Sequence, residues 1–369
     1  MTVRVAVIGT GGVAQQNHIP GLRLHPEAEI VALCDANPQV LAKAVEVSGV
    51  SRTYADWNDV IAADDVDAVV ICTPNNLHAP IAIAAAAAGK HVMSEKPIGL
   101  NYAETERMAA AVEAAGVVNE TAFTYRFVPS MRYMRHLVEQ GAVGKPYHFR
   151  VNRLQDWGDR AVGWRQVKAL AGSGELGDML SHRIDYAHYL IGPIARVVGE
   201  MRQYLTERRN PDGSMLASDV DDWVAFLGDF ANGTTGNFES TKMAMGRGFY
   251  LYSQDYAEIN GEAGSLVYFL SNPHQLLVGK PGGDMQIVPV PEEFLKVPGS
   301  PRDPHTGDPL QNFRYDQSFE FVQAIVEGRP ASPSFRDGSR AQAVMDAVIQ
   351  SADERRWVDV PGATMETTP

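Results

Sequence analysis

Arg4-Val5-Ala6-Val7-Ile8-Gly9-Thr10-Gly11-Gly12-Val13-Ala14 is the stretch whose reading decides the fold. Arg4–Gly9 is a short apolar run of strand character, and Val13–Leu24 continues as a helical pattern. Between them, residues 9–14 read Gly-x-Gly-x-x-Ala. Gly9 permits a tight turn, Gly11 lets the backbone approach a ligand, and Ala14 lets the helix pack closely on the strand. The helix start adds N–H donors and a partial positive charge, which together suit a pyrophosphate. The next apolar run, Glu29–Asp35, ends in an acid where the ribose hydroxyls of a dinucleotide are read. The negative charge of Asp35 repels a 2′-phosphate, and Ala36–Val40 holds no Arg or Lys. The expectation is therefore NAD in preference to NADP, with Gly9, Thr10, Gly11, Gly12, Val13, Ala14 and Asp35 as cofactor residues.

Outward from this stretch, residues 1–120 alternate short strands with helical patterns, as a doubly wound parallel sheet does. The expected strands are Arg4–Gly9, Glu29–Asp35, Ala68–Cys72, His91–Ser94 and Val117–Glu120. The helices between them are Val13–Leu24, Pro38–Val47, Trp57–Ala62, Pro80–Ala88 and Tyr102–Ala115. After about Ala122 the pattern changes. A helix over Pro129–Gln140 and a strand over Tyr147–Leu154 precede long strands at Arg196–Gln203, Asp221–Phe230, Thr234–Met243, Gly248–Asn260 and Gly264–Phe269. Asn232-Gly233 and Gly261-Glu262-Ala263-Gly264 mark turns among them. Residues 270–311 read as irregular or lightly stranded, and helices Phe313–Glu327 and Ser339–Arg355 close the chain. The expected fold is α/β: a Rossmann dinucleotide-binding domain over 1–122, then an α+β domain over 123–369 with a mostly antiparallel sheet.

Of 369 residues, 45% are hydrophobic and 21% charged, ordinary for a soluble globular chain. The net charge of −13 argues against nucleic acid as a partner, since phosphate-backbone binding needs clustered Lys and Arg. The two cysteines, Cys34 and Cys72, sit in apolar runs and read as structural thiols. A strand pattern begins at Val3 with no signal peptide before it, and Ile81–Ala88 is too short to span a membrane. No membrane partner and a cytoplasmic location are expected.

The chemistry is expected in Gly172–Tyr189. At about 100° per residue, Asp178, His182, Asp185 and Tyr189 share one helix face. A Gly-rich lead-in puts Asp178 near the helix start, where a carboxylate is favoured. Acid, imidazole and acid on one face suit an oriented general base, and a solvated face with a lone histidine is the plainer alternative. In the first domain, Thr73-Pro74-Asn75-Asn76-Leu77-His78 ends a strand whose carboxyl end borders the ligand crevice. Lys96 ends another, in His91-Val92-Met93-Ser94-Glu95-Lys96-Pro97.

These motifs resemble the Gfo/Idh/MocA oxidoreductases. The resemblance rests on Thr73-Pro74-Asn75 with His78, Glu95-Lys96-Pro97, Tyr125-Arg126-Phe127-x-Pro129, Gly141-x-x-Gly144-Lys145, Trp164-Arg165, Asp178 with His182 and Asp185, and Gly261 with Gly264-Ser265. It implies a Rossmann domain, a second domain with a large open sheet that serves substrate binding and oligomerisation, and a catalytic lysine, here Lys96. It extends the cofactor set to Thr73, Pro74, Asn75, His78, Glu95 and Lys96. The family helix reads Asp-x-Gly-x-His-x-x-Asp, and Leu180 stands here at the glycine. Gln155-Asp156-Trp157, Gly163-Trp164-Arg165 and Ala171-Gly172-Ser173-Gly174-x-x-Gly177-Asp178 resemble, more narrowly, the levoglucosan dehydrogenase-like branch.

The resulting expectation is hydride transfer to NAD from a secondary ring hydroxyl of a sugar, anhydrosugar or glycoside. Lys96, Asp178 and His182 are the catalytic residues. His182 is the base, because histidine titrates near neutrality. Asp178 orients it or binds a neighbouring hydroxyl, and the Lys96 ammonium stabilises developing alkoxide. Tyr125, Gln155, Trp157, Trp164 and Arg165 are candidate substrate or nicotinamide contacts, and Asp178 and His182 meet the substrate as well. The alternatives are an inositol 2-dehydrogenase acting on myo- or scyllo-inositol, and a non-catalytic NAD-sensing protein on the same scaffold. Asp178, His182 and Asp185 also have metal-ligand chemistry, but no metal is expected, and a homodimer or homotetramer is.

Overall fold

The fold is described from a computed structural model, over residues 2–247 and 255–363. The chain forms two compact units: residues up to Phe127 with Lys296–Ser339, and Val128–Leu295 with the chain from Arg340 on.

In the first unit, strands β1 (Val3–Ile8), β2 (Ala28–Cys34), β3 (Thr53–Tyr54), β4 (Ala68–Ile71), β5 (His91–Ser94) and β6 (Asn119–Thr121) form one parallel sheet of order β3-β2-β1-β4-β5-β6. Alternation splits β1 between two cores. Val3, Val5 and Val7 enter one, Ala6 and Ile8 the other. A strand covered on both faces must be apolar throughout, which is why this run shows no polar alternation.

The boundary expected at residue 122 differs from what is found. Residues 296–339 belong with the first unit because helix Pro309–Glu327 completes one of its cores. Phe321, Val322 and Ile325 pack there with Val5, Val70 and Leu22. A Cβ on Gly21 would lie 2.6 Å from the Tyr315 carbonyl oxygen, so only glycine admits this approach.

The helix expected over Val13–Leu24 is divided. A π-helical turn, Ala14–His18, precedes an α-helix, Ile19–Leu24. Pro20 is the cause, since it has no N–H for the carbonyl of Gln16. That carbonyl accepts from Gln311 Nε2 instead, at 3.0 Å.

On β6, Glu120 is 0% exposed, and neither carboxyl oxygen has a hydrogen-bond partner among the described residues. Burial, with Glu320 nearby, pushes its pKa well above the usual carboxylate range, so the buried form is the neutral acid. The folded state thus holds a proton that the unfolded chain releases. The stability tied to that proton is present below the ordinary pKa and is lost as pH rises through the raised one. Glu120→Gln stays uncharged. Its denaturation midpoint should gain on that of the unmodified protein as pH rises above the ordinary carboxylate range. Parallel curves above that range would show that Glu120 does not titrate in this way.

The second unit carries β7 (Pro146–Leu154), β8 (Ile194–Arg202), β9 (Glu207–Arg209), β10 (Met215–Ala217), β11 (Trp223–Phe230), β12 (Thr235–Thr241), β13 (Asp255–Gly261), β14 (Ser265–Phe269), β15 (Gln275–Gly279), β16 (Gln286–Pro289) and β17 (Val358–Asp359). Nine of these form a sheet of order β16-β15-β14-β13-β7-β12-β11-β8-β17, antiparallel except where β12 runs beside β7. Phe226 stacks on Phe238 at 4.3 Å between centroids, and Phe149 and Phe230 close around them. The turn at Asn232-Gly233 is as expected, with Gly233 at φ +86°. Two strands, β15 and β16, lie within the stretch read as irregular or lightly stranded, and the small hairpin β9–β10 was not foreseen. The front of the strand expected over Gly248–Asn260, residues 248–254, lies outside the described residues. Among the described residues no helix is long and apolar enough to cross a membrane.

Candidate active site

In the first unit, the nucleotide loop follows β1. Gly9 has φ +86°, and a Cβ there would lie 2.5 Å from the Cys72 carbonyl carbon, so glycine is required twice over. A Cβ on Gly11 would meet nothing within 4 Å, which leaves the loop surface open at that point. Ala14 is buried against the sheet. Asp35 braces the loop: its Oδ2 accepts from Thr10 N at 2.8 Å and Thr10 Oγ1 at 3.2 Å, and its Oδ1 from Asn37 N at 2.9 Å. Ala36, Asn37, Pro38 and Gln39 line a depression of about 530 Å³ beside it, with no cation.

At the end of β4, Thr73 Oγ1 and Asn76 Oδ1 are buried and have no hydrogen-bond partner among the described residues. Buried polar atoms are normally satisfied, so two orphans beside an open glycine loop fit a bound dinucleotide. Asn75 and Pro74 share this turn, and Asn75 is buried.

His78 and Glu95, expected to touch the cofactor, are occupied by protein. His78 is 0% exposed, with Nδ1 at 2.9 Å from the Pro97 carbonyl and Nε2 at 2.9 Å from the Thr73 carbonyl. Burial lowers its pKa despite these carbonyls, so the neutral ring donates to one of the two. Glu95 Oε1 meets His18 Nε2 at 2.9 Å, and Oε2 accepts from Lys96 N at 3.1 Å. Both residues brace the backbone flanking Lys96. Tyr125, expected as a substrate or nicotinamide contact and set by the expected boundary in the second domain, stands in the first unit. It is buried in the turn Thr124–Phe127, with Arg314 5.1 Å from its ring centroid.

In the second unit, Asp221 starts the helix that carries Asp178 and His182. Its carboxylate accepts from Gly174 N at 2.6 Å and Leu176 N at 2.9 Å, which serves two N–H groups otherwise left open at a helix start. A Cβ on Gly174 would lie 2.0 Å from the Asp221 carbonyl oxygen, so this approach requires glycine. The helix begins as a π turn, Leu176–Leu180, and continues as an α-helix, Ser181–Leu190. Asp178 therefore precedes His182 across a wider turn than uniform α spacing assumes. A solvated face is excluded, because His182 and Asp185 are buried and Asp178 is largely covered. Leu180, at the family's glycine, is fully buried and packs as a core residue.

Arg165 Nε approaches Asp178 Oδ1 at 3.9 Å, and the Arg165 guanidinium lies 4.5 Å over the Trp164 ring. Gln155 is buried. With its amide oxygen toward the donors, it accepts from Trp157 Nε1 at 3.0 Å and from Arg153 at 3.2 Å. It therefore sets the indole as much as it offers a contact of its own. The Trp157 ring receives the Lys242 ammonium at 5.0 Å.

Buried ion pairs escaped the sequence, among them two groups at this helix. Arg183, on the helix, pairs with Asp255, which Arg153 also approaches at 3.7 Å. Lys242 stands 3.4 Å from Glu175, which also accepts from Ser240. Burial opposes a charge on Lys242, but Glu175, Asp178 and Asp221 around it more than offset this. No spacing rule marks an ion pair between elements this far apart in sequence, and nothing in the sequence pointed to Lys242. Among the described residues no three His, Cys, Asp or Glu side chains gather to hold a metal ion.

The loop, Asp35 and the orphaned hydroxyl define a dinucleotide-binding Rossmann unit, joined in one chain to an α+β unit with an enclosed acid–histidine helix. Residues 3–123 match the model of the oxidoreductase family with NAD-binding Rossmann fold, and 131–267 match the GFO/IDH/MocA C-terminal domain. The levoglucosan dehydrogenase of Pseudarthrobacter phenanthrenivorans is 34% identical over 91% of this chain and 90% of its own. The myo-inositol 2-dehydrogenase of Thermotoga maritima is 28% identical over 96% of this chain and 98% of its own. A solved levoglucosan dehydrogenase complex with NADH and levoglucosan superposes with TM-score 0.87 at 32% identity, covering 98% of this chain and all of that one. The chain belongs to the Gfo/Idh/MocA oxidoreductase family, and its first domain is an NAD-binding one.

The NAD preference read from Asp35 has a direct test. Asp35→Ala removes a charged acceptor, and such hydrogen bonds contribute about 1.5–3 kcal/mol, so NAD should weaken by about ten- to a hundredfold. NADP should weaken less or gain. Paired dissociation constants check this, and an unchanged NAD/NADP ratio would remove Asp35 from cofactor choice.

Proposed function

We propose that this oxidoreductase removes hydride from a secondary ring hydroxyl of a sugar, anhydrosugar or glycoside, in the manner of a levoglucosan or glycoside 3-dehydrogenase. The observation that carries the reading is Arg165, seated on Trp164 and set against Asp178 one turn before His182. A guanidinium and a carboxylate beside indole rings suit a polyol: the charged groups bond hydroxyls and the rings cover C–H surface. The levoglucosan dehydrogenase relative, similar over nine-tenths of both chains, supports the same substrate class.

NAD, when bound, accepts the hydride. His182 takes the hydroxyl proton, Asp178 holds the imidazole or an adjacent hydroxyl, and Lys96 stabilises the developing alkoxide. Thr73 Oγ1 and the Gly11 backbone hold the cofactor, and Trp157, Trp164 and Arg165 hold the sugar.

The test is the initial rate of NAD reduction with levoglucosan, glucosides, free hexoses, myo-inositol and scyllo-inositol. Levoglucosan or a glucoside should give the highest kcat/KM. A preference for either inositol would replace this reading with an inositol 2-dehydrogenase, and no NADH from any of them would overturn it.

A further inference from the structure

His18 has no part in the mechanism above, yet it is a 3%-exposed imidazole set among polar groups within one unit. It ends the π turn that opens directly after the nucleotide loop. Its Nδ1 lies 3.0 Å from Ser318 Oγ, on the helix that completes this unit's core. Its Nε2 lies 2.9 Å from Glu95 Oε1, and Glu95 Oε2 accepts the Lys96 N–H at 3.1 Å. The Glu95 N–H itself is tied to the Ile71 carbonyl at 2.8 Å. The carbonyl after Lys96, that of Pro97, faces His78 at 2.9 Å. The backbone is thus anchored on both sides of a residue whose own side chain is four methylenes long. A reacting group of that length needs a fixed root to hold its ammonium in register with the substrate.

We infer that His18 is a positioning residue for Lys96: through Glu95 it fixes the strand end from which the catalytic lysine projects. This rests on the reading of Lys96 as the catalytic lysine. Packing alone does not call for an imidazole here, because an apolar side chain of similar volume fills buried space at lower desolvation cost. The groups facing His18 are Glu95, Ser318, Cys72 and, further off, Glu120. Burial opposes a charge on the ring, and the Glu95 carboxylate beside it favours one. Burial also raises the Cys72 thiol, while His18 and Lys96 hold Glu95 below the usual carboxylate range. Glu95 is therefore the partner that stays charged at neutral pH, and His18 donates to it.

The experiment compares His18→Leu, His18→Gln, Glu95→Gln, Lys96→Met and the His18→Leu/Lys96→Met double variant, with levoglucosan and NAD. His18→Leu and Glu95→Gln should each lower kcat by about 10- to 100-fold, with KM and NAD affinity within about threefold. His18→Gln, which restores a donor toward Glu95, should recover most of the loss. The double variant should be no slower than Lys96→Met alone, because two residues acting through one group are not additive. Normal turnover in Glu95→Gln, or multiplying losses in the double variant, would overturn the proposal while leaving Lys96 catalytic. Normal turnover in Lys96→Met would instead overturn the reading beneath it. If levoglucosan gives no rate, amine acetylation of Lys96, followed by mass spectrometry, replaces turnover. Labelling should differ by about threefold or more between His18→Leu and the unmodified protein, and equal labelling overturns the proposal.

Discussion

Lys96→Met should lower kcat for sugar oxidation by about a hundred- to a thousandfold, the usual loss when one charge-stabilising group is removed. Methionine keeps the length of the side chain and drops its charge. If the proposed role holds, the side chain keeps its reach while the alkoxide loses its counter-charge. NAD affinity should stay near normal, because Asp35, Thr10 and the glycine loop are set by contacts of their own. Steady-state rates and a cofactor titration on the same preparation separate the two effects. Turnover within a few-fold of normal would remove Lys96 from the chemistry.

His182→Ala should cost about a hundred- to ten-thousandfold in kcat, the range for a lost general base. The residue is buried on a helix pinned by Arg183 to Asp255. A base must be unprotonated to act. The rate should therefore fall toward acid pH in the unmodified protein, and that dependence should vanish in the variant. Asp178→Asn should keep the shape of the turn and lose less. A full-rate His182→Ala would assign the proton to another group.

The first unit was largely legible because its signals are local. β1, the glycine loop and Asp35 follow one another in sequence, and β5 falls at His91–Ser94 as expected. What failed there was non-local. The apolar face of Pro309–Glu327 was readable, but the sequence does not say which sheet covers it. Tyr125 was assigned to the wrong side of the boundary for the same reason. Pro20 had the power to divide the first helix, yet whether it stops, kinks or widens a helix depends on who satisfies Gln16, and Gln311 lies far along the chain.

In the second unit, the Asp178–His182 spacing marked the helix but not its enclosure. Buried there are Arg183–Asp255 and Lys242–Glu175, pairs that join this helix and its start to residues of the sheet far along the chain. Burial of these charges is made tolerable by partners distant in sequence. Gln155 shows the same limit: its residue type suited a sugar hydroxyl, but its amide is engaged by Trp157 and Arg153.

The origin of the hydride tests the proposed reaction most directly. Levoglucosan carrying deuterium at C3 alone, mixed with the enzyme and NAD, should deliver that deuterium to the reduced nicotinamide, and the rate should fall relative to unlabelled sugar. NADH formed without deuterium would place the oxidation at another carbon, and no reduction at all would contradict the assigned activity.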